Sequence, residues 1–421
     1  MKLQKFNTFI STINFVLFFV GYLLISTLFL PMTSDIEGIS RTISIPYHLF
    51  SLLITLIVII INIKSIFKKY PIVLKMLLLF WILLTIRIAY DLLIRTDLYI
   101  ISYRDNIWAY IFLISIPAIV SLISSYDKID LSKALHYIYF LYLAILGLSF
   151  FTNEQLWITS DIIEGRQSGN LAINFIQFGH VAVSFFLLSI FFLLKKEISF
   201  VKKMIICIFL SASIVVMLRT GSRGPLASLF IACLFWTIAL NRKRVILGFL
   251  AVFTIGVLVF IFFDSILHSI GTISPVMERR LILLVNEGDL GGRENLYSEA
   301  INLFLDNPIY GAQFALFKDG IYAYSHNIVL DAFMGLGIVG GVILLYILLY
   351  SLKQSYQLIS VNIYYYWVGL LLLQNIVASM FSGNFYQNPL LSVLLTFVIL
   401  KTNDSTYKYN CYRGTENKIF D

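Results

Sequence analysis

Apolar residues in this chain come in long blocks separated by short polar stretches. A helix needs about 20 mostly apolar residues to cross the hydrocarbon of a bilayer. Twelve such blocks occur, at 8–30, 44–63, 72–92, 106–125, 132–151, 172–194, 203–218, 225–240, 245–267, 326–350, 362–381 and 388–400, the last being the shortest. The pattern predicts an all-α, polytopic integral membrane protein of about twelve transmembrane helices in one membrane domain over residues 1–421. The first block follows Lys2 and Lys5 and outruns a secretory signal core. No small-residue cleavage site follows it, so it reads as an uncleaved span.

Most connections are short. Two are not: the segment 152–171 and the segment 268–325, between the ninth and tenth spans. Within the second, Leu296, Ala300, Ile301 and Phe304 share one face of a helix, which predicts an amphipathic helix lying on the outer leaflet. Asp306-Asn-Pro308 ends it.

Composition agrees with a membrane protein. Of 421 residues 59% are hydrophobic and 13% charged, against about 25% charged in a soluble domain. Too little charge is present to clothe a water-facing surface, which excludes soluble enzymes, secreted domains and disordered chains. The formal charge of +8 then reports sidedness rather than nucleic-acid binding. With the N-terminus in the cytoplasm and sides alternating, 20 of the 31 basic residues fall inside and 11 outside, as the positive-inside rule requires. Of the acidic residues, 6 lie inside and 17 outside. The outer face is therefore acidic on balance, and an anion bound there must be met by a few placed cations. Both termini are expected in the cytoplasm.

The two sides also differ in the kind of base. Inside, 17 of the 20 are lysine; outside, 10 of the 11 are arginine. Topology does not distinguish the two, but chemistry does. Arginine is a planar fork that grips phosphate or carboxylate at two points. Arg41, Arg87, Arg95, Arg104, Arg279 and Arg280 read as snorkelling or paired with carboxylates. Arg219 and Arg223 stand in Leu218-Arg-Thr-Gly-Ser-Arg-Gly-Pro225, a glycine-bearing turn that opens a helix. Arg293 follows Gly291-Gly292 and also precedes a helix. A helix N-terminus favours anions, so these settings suit an anionic ligand. Arg166 lies in Glu164-Gly-Arg-Gln-Ser-Gly169, on the other long outer loop.

Of five histidines, His48, His136 and His180 fall inside spans and His268 ends one. They read as hydrogen-bonded structural residues, with an aqueous cavity as the alternative for His180. His326 differs: it stands in Tyr324-Ser-His-Asn327 at the membrane surface, with Asp331 about a turn later, where it can act as a general base. Gly335, Gly337, Gly340 and Gly341 allow close helix packing behind it. Cys207, Cys233 and Cys411 have no metal or disulfide spacing. No zinc, acidic-cluster, P-loop or dinucleotide motif is present, so no metal or cofactor is expected.

Three segments together resemble the O-antigen ligase and polymerase superfamily of bacterial membrane glycosyltransferases. They are Arg219-Thr-Gly-Ser-Arg-Gly-Pro225; then Gly292-Arg-Glu-Asn-Leu-Tyr-Ser-Glu-Ala-Ile301 with Asn307-Pro-Ile-Tyr-Gly311; then Ser325-His-Asn-Ile-Val-Leu330 with Gly335-Leu-Gly337. The likeness covers about 200–350. One departure is Met334, where many members carry an acidic residue. The resemblance implies an undecaprenyl-pyrophosphate-linked glycan donor, a glycan or lipid-linked acceptor, and a site on the outer face of the bacterial cytoplasmic membrane. Membrane lipids are implied partners, with room for a chain-length regulator; nucleic acid is not. It assigns Arg223 and Arg293 to the pyrophosphate and His326 to the base, with Arg166 a looser correspondence. Arg219, Asn327 and Asp331 complete the expected substrate-binding set.

The chemistry fits. The donor arrives activated, and arginines can neutralise its departing pyrophosphate without a metal. The expectation is an inverting transfer with no covalent intermediate. Polymerisation of a surface polysaccharide is the first reading. Ligation of finished O-antigen to lipid A–core or another acceptor is the second, and a lipid-linked oligosaccharide flippase or transporter is an alternative of another class.

Overall fold

A computed structural model describes residues 2–29, 40–95, 107–152, 168–169, 173–194, 198–240, 254, 257–258, 261–289, 291–318, 321–361 and 365–404. Among these, eight helices are long and apolar enough to cross a membrane. They are α1 (Lys2–Phe29), α2 (Thr42–Ile61), α3 (Ile72–Leu93), α4 (Ile107–Ser125), α5 (Leu131–Thr152), α6 (Phe175–Leu193), α7 (Phe200–Arg219) and α12 (Ile328–Val361). Three shorter apolar helices, α8 (Arg223–Leu240), α13 (Tyr366–Ser379) and α14 (Pro389–Asn403), coincide with the eighth, eleventh and twelfth predicted spans. Most of the ninth predicted span lies outside the described residues. The protein is a helical, multi-pass membrane protein.

Local chemistry sets the helix starts. The Asn174 and Asn388 side chains cap α6 and α14, accepting from Gln177 N and Leu391 N. Proline opens α8 and α14 at positions where no intrahelical N–H is needed. The core is a continuous apolar cluster joining the first and last helices, with Phe15 against Phe397 and Phe19 against Trp367. Around it, Leu53 and Ile60 of α2, Ile86 of α3, Ile208 of α7 and Leu349 of α12 stay exposed. An apolar girdle of this kind is stable only against lipid. Polar contacts join helices inside it: Asn14 of α1 donates to Ser121 of α4 (3.1 Å) and accepts from Thr55 of α2 (2.8 Å). Such bonds add specificity where lipid and core are equally apolar.

The stretch predicted as a long loop is largely structured. It carries α9 (Phe263–Ile273), α10 (Pro275–Glu287) and α11 (Glu294–Asp306), followed by an antiparallel hairpin of β1 (Leu316–Lys318) and β2 (Ile321–Ala323). The hairpin is an addition to the expected all-α plan. Residues 263–267, predicted to close the ninth span, belong instead to α9. The face of α11 also differs from expectation. Leu296, Ala300 and Leu303 turn inward onto Leu316, Ala323, Leu330 and Met334, while Ile301 remains 43% exposed.

Helix α12 is longer than predicted and broken at Gly337, whose backbone is left-handed (φ 63°). In an unbroken helix the Ile338 N–H would bond the Met334 carbonyl four residues back. Here the segment 307–311 enters between them. Ala312 N bonds the Met334 carbonyl (2.7 Å), and Ile338 N bonds the Pro308 carbonyl (2.8 Å). A Cβ on Gly337 would strike the Ile309 carbonyl, and one on Gly311 would strike the Gly335 backbone. Glycine is needed at both places for this contact as well as for its φ.

Candidate functional site

The turn from α7 to α8 is the first wall of the site. Thr220 caps α7, Gly221 takes φ 57°, and Arg223 begins α8. Gly179 of α6 supports the turn from behind; a Cβ there would lie 2.6 Å from Pro225. From this position the Arg223 guanidinium donates to the carbonyls of Asp289 and Arg280 (3.2 Å to the latter) and stands 3.8 Å from the Asp289 carboxylate. Arg280 reaches back, donating to the Gly221 carbonyl (3.2 Å). Gly291 (φ 80°) packs so closely that a Cβ would sit 3.0 Å from both guanidinium groups.

Arg293 follows Gly291 and Gly292 and stands at the N-terminus of α11. Its charge acts on Arg280, Tyr324 and His326 alike. Burial, then repulsion from Arg293, holds Arg280 below the usual arginine range, against the opposing pull of Asp289. Three guanidinium groups are thus gathered here, with the Asp289 carboxylate 3.8 Å from Arg223 and backbone carbonyls fixing Arg223 and Arg280.

The second wall is the turn into α12. Ser325 is fully buried, and its N–H and hydroxyl both donate to one oxygen of Asp331 (3.1 and 2.7 Å). The Asn327 side-chain oxygen accepts from Val329 N and Leu330 N, capping α12. His326, between them, is held at φ 62°, the only left-handed residue other than glycine among the described residues. Its ring centroid lies 4.4 Å from that of Tyr324, and its buried Nδ1 has no hydrogen-bond partner. Burial, and secondarily the Arg293 charge, lowers its pKa to about 4. The imidazole is therefore neutral at pH 7 and able to accept a proton.

Loop 307–314 is fixed from the membrane side by α3. Asp91 accepts from Arg87 (3.0 Å) and from Phe314 N (2.8 Å). Arg87 donates to the Gly311 carbonyl (3.3 Å), and Arg95 to that of Ala312 (2.9 Å). These two arginines serve the scaffold.

Beside Tyr324 opens a cavity of about 420 Å³. Tyr22, Tyr47, Tyr110 and Tyr142 line it together with the amides of Asn174, Gln177, Gln374 and Asn375. His48 and His180 also line it. None of its described lining residues is Asp, Glu, Lys or Arg.

The expected residues thus divide. Arg223, Arg293 and His326 converge, joined by Arg280, which the sequence reading assigned to surface pairing. Met277, three residues before Arg280 and fully buried, marks the inward face of α10 and was the available signal. Asn327 and Asp331 shape the turn around His326. Arg219 ends α7 half-buried and takes no part in the contacts that join Arg223 to Arg280. Arg166 and Arg104 lie outside the described residues, as does the Arg41 side chain; Arg279 is exposed. No group of three or more His, Cys, Asp or Glu able to hold a metal occurs among the described residues.

Residues 206–345 match the family model for O-antigen ligase. That stretch, about a third of the chain, is what the protein shares with the O-antigen ligase and polymerase superfamily. The match contains the α7–α8 turn, all three clustered arginines, α11, the inserted loop, His326 and the break in α12. An O-antigen ligase family member is a glycosyltransferase-type membrane enzyme of polysaccharide assembly, working on a lipid-linked glycan donor and an acceptor. No curated protein matches the chain.

Proposed function

We propose that the protein polymerises a bacterial surface polysaccharide, moving glycan from undecaprenyl pyrophosphate to an acceptor sugar hydroxyl on the outer face of the cytoplasmic membrane. The carrying observation is the placement of a neutral imidazole, His326, within the field of Arg293, beside the guanidinium pair Arg223 and Arg280. The chain crosses the membrane twelve times with both termini inside, as its basic residues require.

In this reading Arg223, Arg280 and Arg293 bind the pyrophosphate, with Arg219 and Arg166 as further substrate-binding residues. The acceptor oxygen attacks the anomeric carbon as the bond from that carbon to the pyrophosphate oxygen breaks. His326 takes the hydroxyl proton, and undecaprenyl pyrophosphate leaves with its charge met by arginine. Preformed donors at a developing charge commonly give the largest catalytic contribution. Attack opposite the leaving group inverts the configuration, and no step calls for a metal. Asp331 and Asn327 hold the base in place.

Deletion of the gene tests the reading. A single repeat unit capping the acceptor, with unpolymerised units on the carrier, supports it. Full-length polymer trapped on the carrier would instead establish the second reading, transfer to lipid A–core or another acceptor, which the ligase description of the matched family favours. Units retained on the inner face would mean a flippase. A product that keeps the donor's anomeric configuration would overturn the mechanism.

A further inference from the structure

The cavity beside Tyr324 has no part in holding the pyrophosphate. None of Arg223, Arg280 and Arg293 lines it. Its position relative to the base is nonetheless specific, because Tyr324 lines the cavity and also packs on the His326 ring. An in-line displacement places the attacking hydroxyl opposite the leaving group, with the base beside that hydroxyl. A compartment reached through the base's own ring partner is therefore on the acceptor's side.

Its lining has the chemistry of a saccharide site. Tyrosine rings give flat apolar faces with a polar edge, and amides supply both donors and acceptors. Some of that capacity is unspent: the Gln177 side chain and the Asn174 Nδ2 make no hydrogen bond to described residues, and Asn375 uses only its Nδ2, on the Leu371 carbonyl. Other amides are committed to fixing the wall. Gln374 accepts from Ser184 (2.8 Å) and donates to the His180 carbonyl (3.2 Å). The volume, about 420 Å³, falls in the roughly 300–1,000 Å³ range of small-molecule sites. A polyprenyl tail would leave these polar groups unsatisfied. A sugar carboxylate or phosphate would meet no cation among the described lining residues.

We infer that this cavity is the acceptor pocket, and that it takes the uncharged sugars that carry the accepting hydroxyl. The inference rests on the polymerase reading and adds to it a substrate class. It also separates two parts of the chain. Arg223, Arg280, Arg293 and His326 lie within residues 206–345, which match the family, whereas among the described lining residues only Tyr324 falls in that stretch. The reaction is thus built from the shared region, and the choice of acceptor from the rest.

The test starts from the lipid-linked glycan that accumulates in the deletion strain. Mild acid releases its oligosaccharide, whose composition is determined and whose binding to the purified full-length chain in lipid nanodiscs is measured. A neutral sugar at the accepting end is expected. Gln177→Ala combined with Asn375→Ala should weaken oligosaccharide binding about 10-fold, as loss of hydrogen-bonding partners does, and leave undecaprenyl pyrophosphate binding unchanged. Arg223→Ala should do the reverse. A uronic acid or phosphorylated sugar at the accepting end would overturn the inference. So would oligosaccharide binding that the double variant leaves intact, or no binding to the wild-type chain. Accumulation of full polymer or of inner-face units would overturn the polymerase reading itself, and the inference with it.

Discussion

Ser325 gives both its N–H and its hydroxyl to a single oxygen of Asp331, and this pair of bonds fixes the turn on which His326 stands. The carboxylate does not contact the imidazole in the way a catalytic dyad would. It acts on the backbone, holding the histidine where its ring packs on Tyr324 and lies in the field of Arg293. In the proposed mechanism Asp331 is thus a positioning residue, one step removed from the reacting atoms.

Asp331→Ala should therefore cost turnover more than affinity. Misplacing a base by about 1 Å can cost about 100-fold in rate. Steady-state transfer with purified donor should show kcat reduced on that order and KM changed little. Ser325→Ala should show the same split to a smaller degree. A rise in KM with kcat intact would assign Asp331 to substrate binding instead.

The left-handed backbone at His326 separates stability from chemistry. A non-glycine residue there costs on the order of 1–3 kcal/mol, which glycine avoids. His326→Gly should melt above His326→Ala in detergent, although both lose about 100-fold or more of transfer activity with the base. Equal melting temperatures would mean that the turn carries no strain.

Arg280 is expected to matter as much as Arg223. Each guanidinium is fixed by backbone carbonyls of the other's segment, so Arg280→Lys retains charge but loses the fork. Transfer should fall about 10-fold or more in Arg280→Lys, in line with the poor exchange of the two residues at bidentate sites. Binding of undecaprenyl pyrophosphate, measured by native mass spectrometry, should weaken in parallel. Full activity in Arg280→Lys would remove it from the site.

The pH profile carries a sign. His326 must be neutral to accept a proton, and its pKa in the free protein is lowered to about 4 by burial and by Arg293. The acid limb of kcat/KM, which reports the free enzyme, should fall near pH 4. Bound pyrophosphate offsets the Arg293 charge and so raises the imidazole pKa. The acid limb of kcat should therefore lie at higher pH than that of kcat/KM. Coincident limbs near pH 6.5 would indicate a solvated histidine unconnected to Arg293.

Much of this arrangement was legible in the chain, and the failures have physical causes. Apolar blocks announced the helices because lipid imposes one requirement on every span. Arg223 and Arg293 stood out because glycine and proline marked the turns that present them, and His326 because it stood at the entry to a span with Asp331 about a turn later. Arg280 did not, since a basic pair on a short helix looks like a solvated face until Met277 shows which side is buried. Gly335 and Gly337 read as close packing between helices; the actual event, a loop entering a helix, leaves no periodicity. The cavity was invisible for a similar reason. Its wall is gathered from segments as distant as Tyr22, Gln177 and Gln374, and sequence periodicity speaks only for neighbours.

The joint at Gly337 is made of main-chain atoms, and this decides what can vary around it. Carbonyls and N–H groups are the same in every residue but proline, so the seam places no demand on the side chains that cross it. Ile309 and Tyr310 point outward, 59% and 82% exposed. They are free to drift or to be recruited for contact with lipid, while Gly311 and Gly337 are not. The tip of the loop can thus diversify without disturbing the turn that holds His326.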